Sequence, residues 1–138
     1  MEKEIDKIMP ESRRGDTNRY CKSIEQRFRP SNDLELSNVY NKIIQCRRLE
    51  TLSSVVTDRS RYYKINIEAY WRHKTVEFRH HSGTIEFEKI SNWIQILNRL
   101  INFSETRTFP RPDWNLFLGI LNVSIIAYVN HRRQKFGF

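Results

Sequence analysis

Two neighbouring stretches in the middle of the chain alternate between apolar and polar residues. Apolar side chains occupy every second position over much of residues 62–70 and again within residues 74–81. Strict alternation is typical of a β-strand with one buried face. The WRHK connection between the two stretches is short. The pattern therefore predicts two strands that pair in an antiparallel manner.

The residues after the second stretch change to a helical period. Apolar side chains recur at intervals of three and four residues, at Phe87, Ile90, Ile94, Leu97 and Ile101. This spacing predicts an amphipathic helix over residues 86–104 that buries these five side chains.

Two further helices are predicted on either side of this central region. Residues 34–56 begin with helical spacing after Asp33, which is a candidate N-cap residue. Residues 113–130 follow a second candidate cap, Asp113, and are apolar around most of the helix circumference. Such a helix is expected to be buried on more than one side.

The order of elements predicts an α+β fold with antiparallel strands backed by helices. We expect a single domain, in which a basic N-terminal segment, residues 1–32, precedes a domain over residues 33–138. Two closely spaced prolines predict a linker over residues 106–114. Because two strands alone make a poor sheet, further strands are expected to come from elsewhere.

The net charge narrows the class of partner. The 138-residue chain has a formal net charge of +8, which favours an anionic partner such as a nucleotide, an acidic protein or RNA. Four arginines, Arg13, Arg14, Arg132 and Arg133, are candidates for contacts with an RNA backbone. The alternative is that these basic faces are simply solvated. The longest apolar run, residues 114–129, is interrupted by polar residues and is too short for a membrane span.

Cysteine and histidine spacing gives no metal site or disulfide framework. Cys21 and Cys46 are far apart in sequence, which favours free thiols in a reducing intracellular compartment, cytoplasmic or organellar. The charged N-terminus has no apolar segment of the kind found in signal peptides. His80 and His81 occupy adjacent strand positions, so their side chains are predicted to point to opposite faces.

The second strand carries the most informative polar residues. Alternation places Glu77 and Arg79 on the same face, roughly 7 Å apart along the strand. The pair is interpreted either as the wall of a site that binds a charged substrate or as an ordinary surface ion pair.

Two longer segments carry a resemblance to a known family. The sequences IMPESRRGDTNRYC (residues 8–21) and RYYKINIEAYWRHKTVEFRHHSGTIEFEKISNWIQILNRLI (residues 61–101) resemble the amidoligase family. The shared pattern is an arginine pair before Tyr-Cys, then Arg-Tyr leading into a strand with Asn, then Thr-Val-Glu-Phe-Arg, a Gly-Thr turn and a helix that contains tryptophan. The resemblance covers roughly residues 8–104.

The resemblance implies a fold and a reaction. The family is related to glutamine synthetase and gamma-glutamylcysteine synthetase, which use ATP to join a carboxylate to an amine through an acyl phosphate. The implied fold is a curved antiparallel sheet backed by helices, of which this chain resembles the C-terminal half. ATP and Mg²⁺ are the implied cofactors if the chain is active, and none is implied otherwise.

The resemblance also assigns roles to individual residues. Glu77 matches a glutamate that is a candidate magnesium ligand, and Arg79 matches an arginine that is a candidate phosphate contact; both are candidate catalytic residues. Arg61 and Asn66, together with Arg79, are candidate nucleotide-binding residues. Strict alternation, however, places Arg61 on the face opposite Asn66 unless a bulge intervenes.

One departure from the family pattern leaves two hypotheses open. Members of the family carry a Glu-x-Glu pair for metal on an early strand, whereas Glu86 and Glu88 here lie at a helix start, where acidic residues suit the helix dipole. The first hypothesis is a ligase that needs a missing N-terminal half or a partner chain for activity. The second is a non-catalytic, basic structural subunit derived from this fold in a larger assembly such as a ribonucleoprotein.

Overall fold

The computed structural model describes residues 1–107 and 113–138. These residues form two compact units. The helical unit consists of Met1–Glu11 and His81–Phe138, and the strand unit consists of Ser12–His80. The structure is therefore a mixed, mainly helical fold with a small antiparallel sheet, which is compatible with the predicted α+β class. The predicted division into residues 1–32 and 33–138 stays a prediction.

The described residues of the helical unit form four α-helices, which are α1 (Glu2–Asp6), α6 (Phe87–Thr106), α7 (Trp114–Ile120) and α8 (Val123–Lys135). Each of these helices contributes at least one side chain to a single apolar core. The core side chains are Ile5, Ile8, Met9, Ile96, Phe117, Leu121, Ile125 and Val129. Burial of such side chains is the main source of stability for a unit of this size.

The helix predicted over residues 86–104 is confirmed, but its predicted buried face is wrong. Ile96 is fully buried, and Trp93 and Leu100 pack against the same core. The predicted apolar row instead lies largely in solvent, with Phe87 82% and Ile94 52% exposed. The helix carries two apolar stripes, and the period of a sequence does not identify which stripe meets the core.

The helix predicted over residues 113–130 is two helices rather than one. Leu121 and Asn122 between α7 and α8 have extended backbone angles. The break lets Leu121 join the core, since this side chain is buried. Asp113 caps α7 as predicted, and its Oδ1 accepts a hydrogen bond from the Leu116 N–H at 2.8 Å.

The Asp113 cap gives a first testable expectation. Replacing Asp113 with alanine removes the acceptor for a helix N–H and is expected to lower the free energy of unfolding by about 1 kcal/mol. Asp113→Asn keeps an acceptor oxygen and is expected to stay close to wild type. The stability of both variants is measured by thermal unfolding, monitored by circular dichroism. Equal destabilisation of the two variants would show that the cap does not stabilise α7.

The described elements of the strand unit include four α-helices and two strands, which are α2 (Ile24–Phe28), α3 (Asp33–Ile44), α4 (Leu49–Thr57), β1 (Ile65–Asn66), α5 (Ala69–His73) and β2 (Glu77–Phe78). A short 3₁₀-helix, Glu11–Arg13, lies at the boundary of the two units.

The two strands pair in an antiparallel manner, as predicted, but they are much shorter than predicted. Ile65 lies opposite Phe78 and Asn66 lies opposite Glu77. The connection expected to be a short loop is helix α5, followed by Lys74 in the left-handed region at φ 58°. An isolated parallel β-bridge also pairs Lys22 with Tyr63, so the chain near residue 22 runs beside the residues that lead into β1.

The helix predicted over residues 34–56 is interrupted at residues 45–48. The cap is Asn32, whose side chain accepts from the Glu35 N–H at 2.9 Å, and the predicted cap Asp33 is instead the first helical residue. Helix α3 buries none of its residues, whereas α4 buries Ser53 and Thr57. The segment is therefore two helices that differ in burial, rather than one continuous helix.

Polar contacts attach α4 to the residues after β1. Ser53 and Thr57 are fully buried, and the Ser53 hydroxyl donates to the Glu68 carboxylate. Thr57 Oγ1 donates to the Ser53 carbonyl at 2.9 Å. Because buried hydroxyls are costly without a partner, these bonds fix α4 against the chain that leaves the sheet.

Both cysteines are free thiols, and Cys21 is buried. Within residues 1–107 and 113–138, no helix has the length and apolar character needed to cross a membrane. The predicted linker, residues 106–114, lies largely outside the described residues.

Candidate functional site

The β1–β2 pair brings three of the predicted site residues into direct contact. Asn66 faces Glu77 across the ladder, and its Nδ2 donates to Glu77 Oε2 at 2.7 Å. Arg79 Nε donates to Glu77 Oε1 at 3.0 Å. Each carboxylate oxygen of Glu77 therefore accepts one hydrogen bond. We refer to Asn66, Glu77 and Arg79 as the strand triad.

The Arg79 guanidinium is held by main-chain oxygens as well as by Glu77. Its Nη1 donates to the Tyr20 carbonyl at 3.0 Å and to the Arg61 carbonyl at 2.8 Å. Its Nη2 makes no hydrogen bond to any residue that the structure describes. A rigidly placed guanidinium with unused N–H groups is well suited to bind an oxyanion.

The backbone of Arg79 is fixed as firmly as its side chain. Its N–H donates to the Lys64 carbonyl at 2.7 Å. Its carbonyl accepts from Arg13 Nη1 at 3.2 Å and from Cys21 Sγ at 3.1 Å. Arg13, which the sequence offered as an RNA contact, thus donates to a protein carbonyl.

Asn66 carries an unused acceptor next to Glu77. An ionised carboxylate only accepts hydrogen bonds, so the Asn66 amide nitrogen must face Glu77. This leaves Asn66 Oδ1 buried and without a hydrogen-bond partner among the described residues, on a residue that is 5% exposed. Buried polar atoms are nearly always satisfied, so this oxygen is a candidate contact for a ligand or a cation.

The strand triad is open to solvent on the Glu77 side. The Glu77 side chain is 48% exposed and that of Arg79 is 22% exposed. An ion pair this exposed contributes little to stability by itself. Its access to solvent is, however, a requirement for binding a dissolved substrate.

Arg61 takes part in the site through its main chain. Its carbonyl accepts from Arg79, whereas its guanidinium lies 5.2 Å from the centre of the Tyr62 ring. Tyr62 meets Tyr20 edge to face with ring centres 5.3 Å apart, and Arg19 covers Tyr20 at 4.7 Å. We call these four residues the Arg–Tyr surface. Sequence reasoning missed Tyr20 and Tyr62 as neighbours, although each follows an arginine in the chain.

The four arginines of the RNA hypothesis are divided between the two units. Arg13 and Arg14 belong to the strand unit, and Arg132 and Arg133 belong to the helical unit. Arg132 is buried and its Nε donates to the Ile8 carbonyl at 2.8 Å. The Arg133 guanidinium lies 4.5 Å from the centre of the Trp114 ring.

The two adjacent histidines lie beyond the end of β2 and have different surroundings. His80 is buried at 2% exposure, and burial, reinforced by the positive charge of Lys64, lowers the pKa of His80 to about 3. His81 stacks on Trp93 with ring centres 5.4 Å apart. Glu88 lies in the first turn of α6, and Glu86 is the residue that precedes the helix.

The donor set of the strand triad suits a hard cation with few protein ligands. Mg²⁺ in phosphoryl-transfer sites is typically held by one or two carboxylates, with water and substrate phosphates completing its shell. The Glu77 carboxylate and Asn66 Oδ1 are oxygen donors of the right type. No group of three or more His, Cys, Asp and Glu side chains that could hold a metal occurs within the described residues.

The chain matches a known protein family over most of its length. A family model described as "Putative amidoligase enzyme" matches residues 1–101. No curated protein and no solved structure matches the chain. The matched range contains the whole strand triad and the Arg–Tyr surface.

Proposed function

The chain belongs to the amidoligase family, and we propose that it carries part of an ATP-dependent site that joins a carboxylate to an amine. The observation that carries this proposal is the strand triad. It combines a solvent-accessible carboxylate, an amide oxygen without a hydrogen-bond partner and a guanidinium with unused N–H groups. Phosphoryl transfer requires oxygen ligands for Mg²⁺ and positive charge near the transferred phosphoryl group.

The Glu77 carboxylate and Asn66 Oδ1 are the residues that would hold Mg²⁺. Bound Mg²⁺ supplies positive charge that neutralises the phosphate oxygens of ATP. The 2.7 Å hydrogen bond from Asn66 Nδ2 to Glu77 orients both side chains. Orientation of this kind by a neighbouring polar group tunes a metal ligand and lowers its freedom to rotate.

Arg79 is proposed to bind the transferred phosphoryl group through Nη2. In the first step a substrate carboxylate oxygen attacks the γ-phosphorus, the bond from phosphorus to the ADP oxygen breaks, and ADP leaves. In the second step an amine nitrogen attacks the acyl carbon, the bond from carbon to the phosphate oxygen breaks, and the amine loses a proton. A fixed guanidinium stabilises the charge on the phosphoryl oxygens without rearranging.

The Arg–Tyr surface is the candidate place for the base of the nucleotide. The Tyr20 carbonyl accepts a hydrogen bond from Arg79, the proposed phosphate contact. The Tyr20 ring therefore belongs to a residue that directly contacts Arg79. The Tyr20 ring is 46% exposed. Aromatic rings beside arginine offer stacking and cation–π contacts to a purine.

A further part of the fold is proposed to complete the site, either an N-terminal half or a partner chain. The strands β1 and β2 contain two residues each, which is short for a stable sheet. The exposed apolar row on α6, formed by Phe87, Ile90, Ile94 and Ile101, is an independent sign of a missing neighbour. The proposed neighbour carries strands and at least one further carboxylate for the metal.

The ligase hypothesis leads to an expected result for the chain by itself. Purified chain with Mg²⁺, ATP and candidate amines is expected to release no more ADP than the Arg79→Ala variant, because the metal site lacks its second carboxylate. Weak nucleotide binding is expected from the strand triad alone. The measurement is a coupled ADP-release assay with equilibrium binding of nucleotide. Robust turnover by this chain alone would show that neither an N-terminal half nor a partner chain is needed for activity.

The alternative, a structural subunit in a ribonucleoprotein, has less support from the contacts. Arg13 and Arg132 both donate to protein carbonyls, at Arg79 and Ile8 respectively. Arg13 is therefore not fully available for a phosphate backbone, and Arg132 is too deeply buried for a bulky RNA backbone to reach. The net charge of +8 remains compatible with either hypothesis.

A further inference from the structure

The helical unit contains a cavity that the proposed ligase site does not use. Its volume is about 260 Å³, and its lining includes Ser82 and Thr84 in the segment before α6 together with Lys89, Arg132 and Lys135. Three positively charged side chains therefore reach the same cavity from α6 and α8.

Arg132 is the most informative residue of this lining. It is only 7% exposed, and its Nε donates to the neutral carbonyl of Ile8. The rings of Phe136 and Tyr128 flank its guanidinium at 5.0 and 5.7 Å. No carboxylate of the described residues forms an ion pair with it. A buried charge is costly unless a charge of opposite sign accompanies it.

The carboxylate that lines the cavity, Glu86, is already engaged. The Lys89 ammonium donates to it, and this hydrogen bond holds the pKa of the Glu86 carboxyl below its ordinary value. The charges of Lys135 and Arg132 act in the same direction. Glu86 offsets one of the three positive charges, which leaves an excess of two near the cavity.

The segment before α6 adds hydrogen-bonding groups of the kind that contact phosphates. Thr84 Oγ1 accepts from the Glu86 N–H at 3.1 Å, so its hydroxyl proton is available to an acceptor in the cavity. Ser82 supplies a second hydroxyl. The cavity volume lies just below the range of roughly 300–1,000 Å³ that is usual for drug-sized ligands. A small anion therefore fits better than a complete nucleotide.

We propose that this cavity binds the phosphate group of a small molecule, with Arg132 and Lys135 as its charged contacts. A phosphate dianion matches the excess of two positive charges, and its oxygens match the guanidinium and hydroxyl donors. The proposal concerns the helical unit alone and does not depend on the ligase function, which was assigned to the strand unit.

Lys135 is the residue to change, because it is exposed and its replacement leaves the core intact. Lys135→Glu in the full chain is expected to weaken the binding of inorganic phosphate at least tenfold, since a contact of opposite charge becomes repulsive. Lys42→Glu is the matched control, because Lys42 is also exposed and lies in the last turn of a helix. It makes the same change in net charge and is expected to leave phosphate binding at the wild-type level.

Calorimetric titration with inorganic phosphate, without Mg²⁺, measures the affinity, and phosphate-dependent thermal stabilisation provides a second readout. Arg132→Gln is expected to abolish the stabilisation by phosphate even if the variant unfolds at a lower temperature. A parallel titration with ADP tests whether the bound phosphate belongs to a nucleotide. ADP affinity falls in Lys135→Glu if the cavity holds a nucleotide phosphate, and it is unchanged if the cavity holds the phosphate of another small molecule. Unchanged phosphate binding in Lys135→Glu, or equal losses in Lys135→Glu and Lys42→Glu, would overturn the proposal. The absence of phosphate binding by the wild-type chain would overturn it as well.

Discussion

Replacing Arg79 with alanine is expected to lower the ligase rate of the complete assembly by roughly 10²-fold or more, since one preorganised charge contact to the phosphoryl group is lost. The same change removes hydrogen bonds to Glu77, Tyr20 and Arg61. It is therefore also expected to lower the free energy of unfolding by about 1–3 kcal/mol. The cost is not larger, because the Glu77 side chain is half-exposed and water can solvate it.

The two effects are separated by measuring nucleotide affinity and thermal unfolding on the same variants. Glu77→Gln keeps the shape of the side chain and one acceptor oxygen, so it is expected to fold but to lose Mg²⁺-dependent nucleotide binding. Arg72→Ala is the matched control, since Arg72 is exposed and belongs to the same unit. Wild-type nucleotide affinity in both Arg79→Ala and Glu77→Gln would show that the strand triad is not the site, whatever happens to stability.

The stability of the chain is expected to fall steeply in mild acid because of His80. The pKa of His80 is about 3 in the folded chain, mainly because burial disfavours the charged imidazolium. The ordinary value is 6.5, so between pH 6.5 and 3 the unfolded state takes up a proton that the folded state refuses. The contribution of this histidine is therefore fully present above pH 6.5 and is lost as the pH falls.

The size of the effect follows from proton linkage. From pH 7 to pH 5 the free energy of unfolding is expected to fall by about 2 kcal/mol through this group. From pH 7 down to pH 3 the loss reaches about 4 kcal/mol. Carboxylates begin to titrate below pH 5, so the interval from pH 7 to pH 5 isolates the histidine best.

Urea unfolding at several pH values tests this expectation with His80→Gln and His73→Gln. The His80→Gln variant is expected to show a flatter dependence on pH, whatever its stability at pH 7, because its side chain does not titrate. His73 is exposed, so His73→Gln is expected to follow wild type. Parallel curves for wild type and His80→Gln from pH 7 to pH 5 would show that the imidazole is not held neutral in the folded chain.

Sequence alternation was sufficient to bring Glu77 and Arg79 together and to predict the antiparallel pairing, although the connection is helix α5 rather than a short loop. Alternation did not reveal that Lys64 and Asn66, predicted on a polar face, are buried. A polar residue is buried when its partners come from distant segments, and those partners are not visible in a local pattern.

Contacts made by the main chain explain most of the remaining differences. Arg61 enters the site through its carbonyl oxygen, which every residue type possesses, so the identity of its side chain could not predict this contact. In α6 the choice between two apolar stripes depended on α7 and α8. The sequence predicted that a helix forms there, but the side that becomes buried is decided by the elements packed against it.

The contacts of Arg79 join parts of the chain that are far apart in sequence. Its bonds to Arg13, Cys21 and Tyr20 span 66, 58 and 59 residues. Contacts of such long range form late in folding, because the entropy of closing long loops must first be overcome. The strand triad is therefore completed only when the strand unit has folded around it. A molecule that binds there favours the folded chain by mass action, so a nucleotide bound at the proposed site would act in effect as a folding ligand. Destabilising substitutions far from Arg79 would then weaken apparent nucleotide affinity without touching the bound molecule.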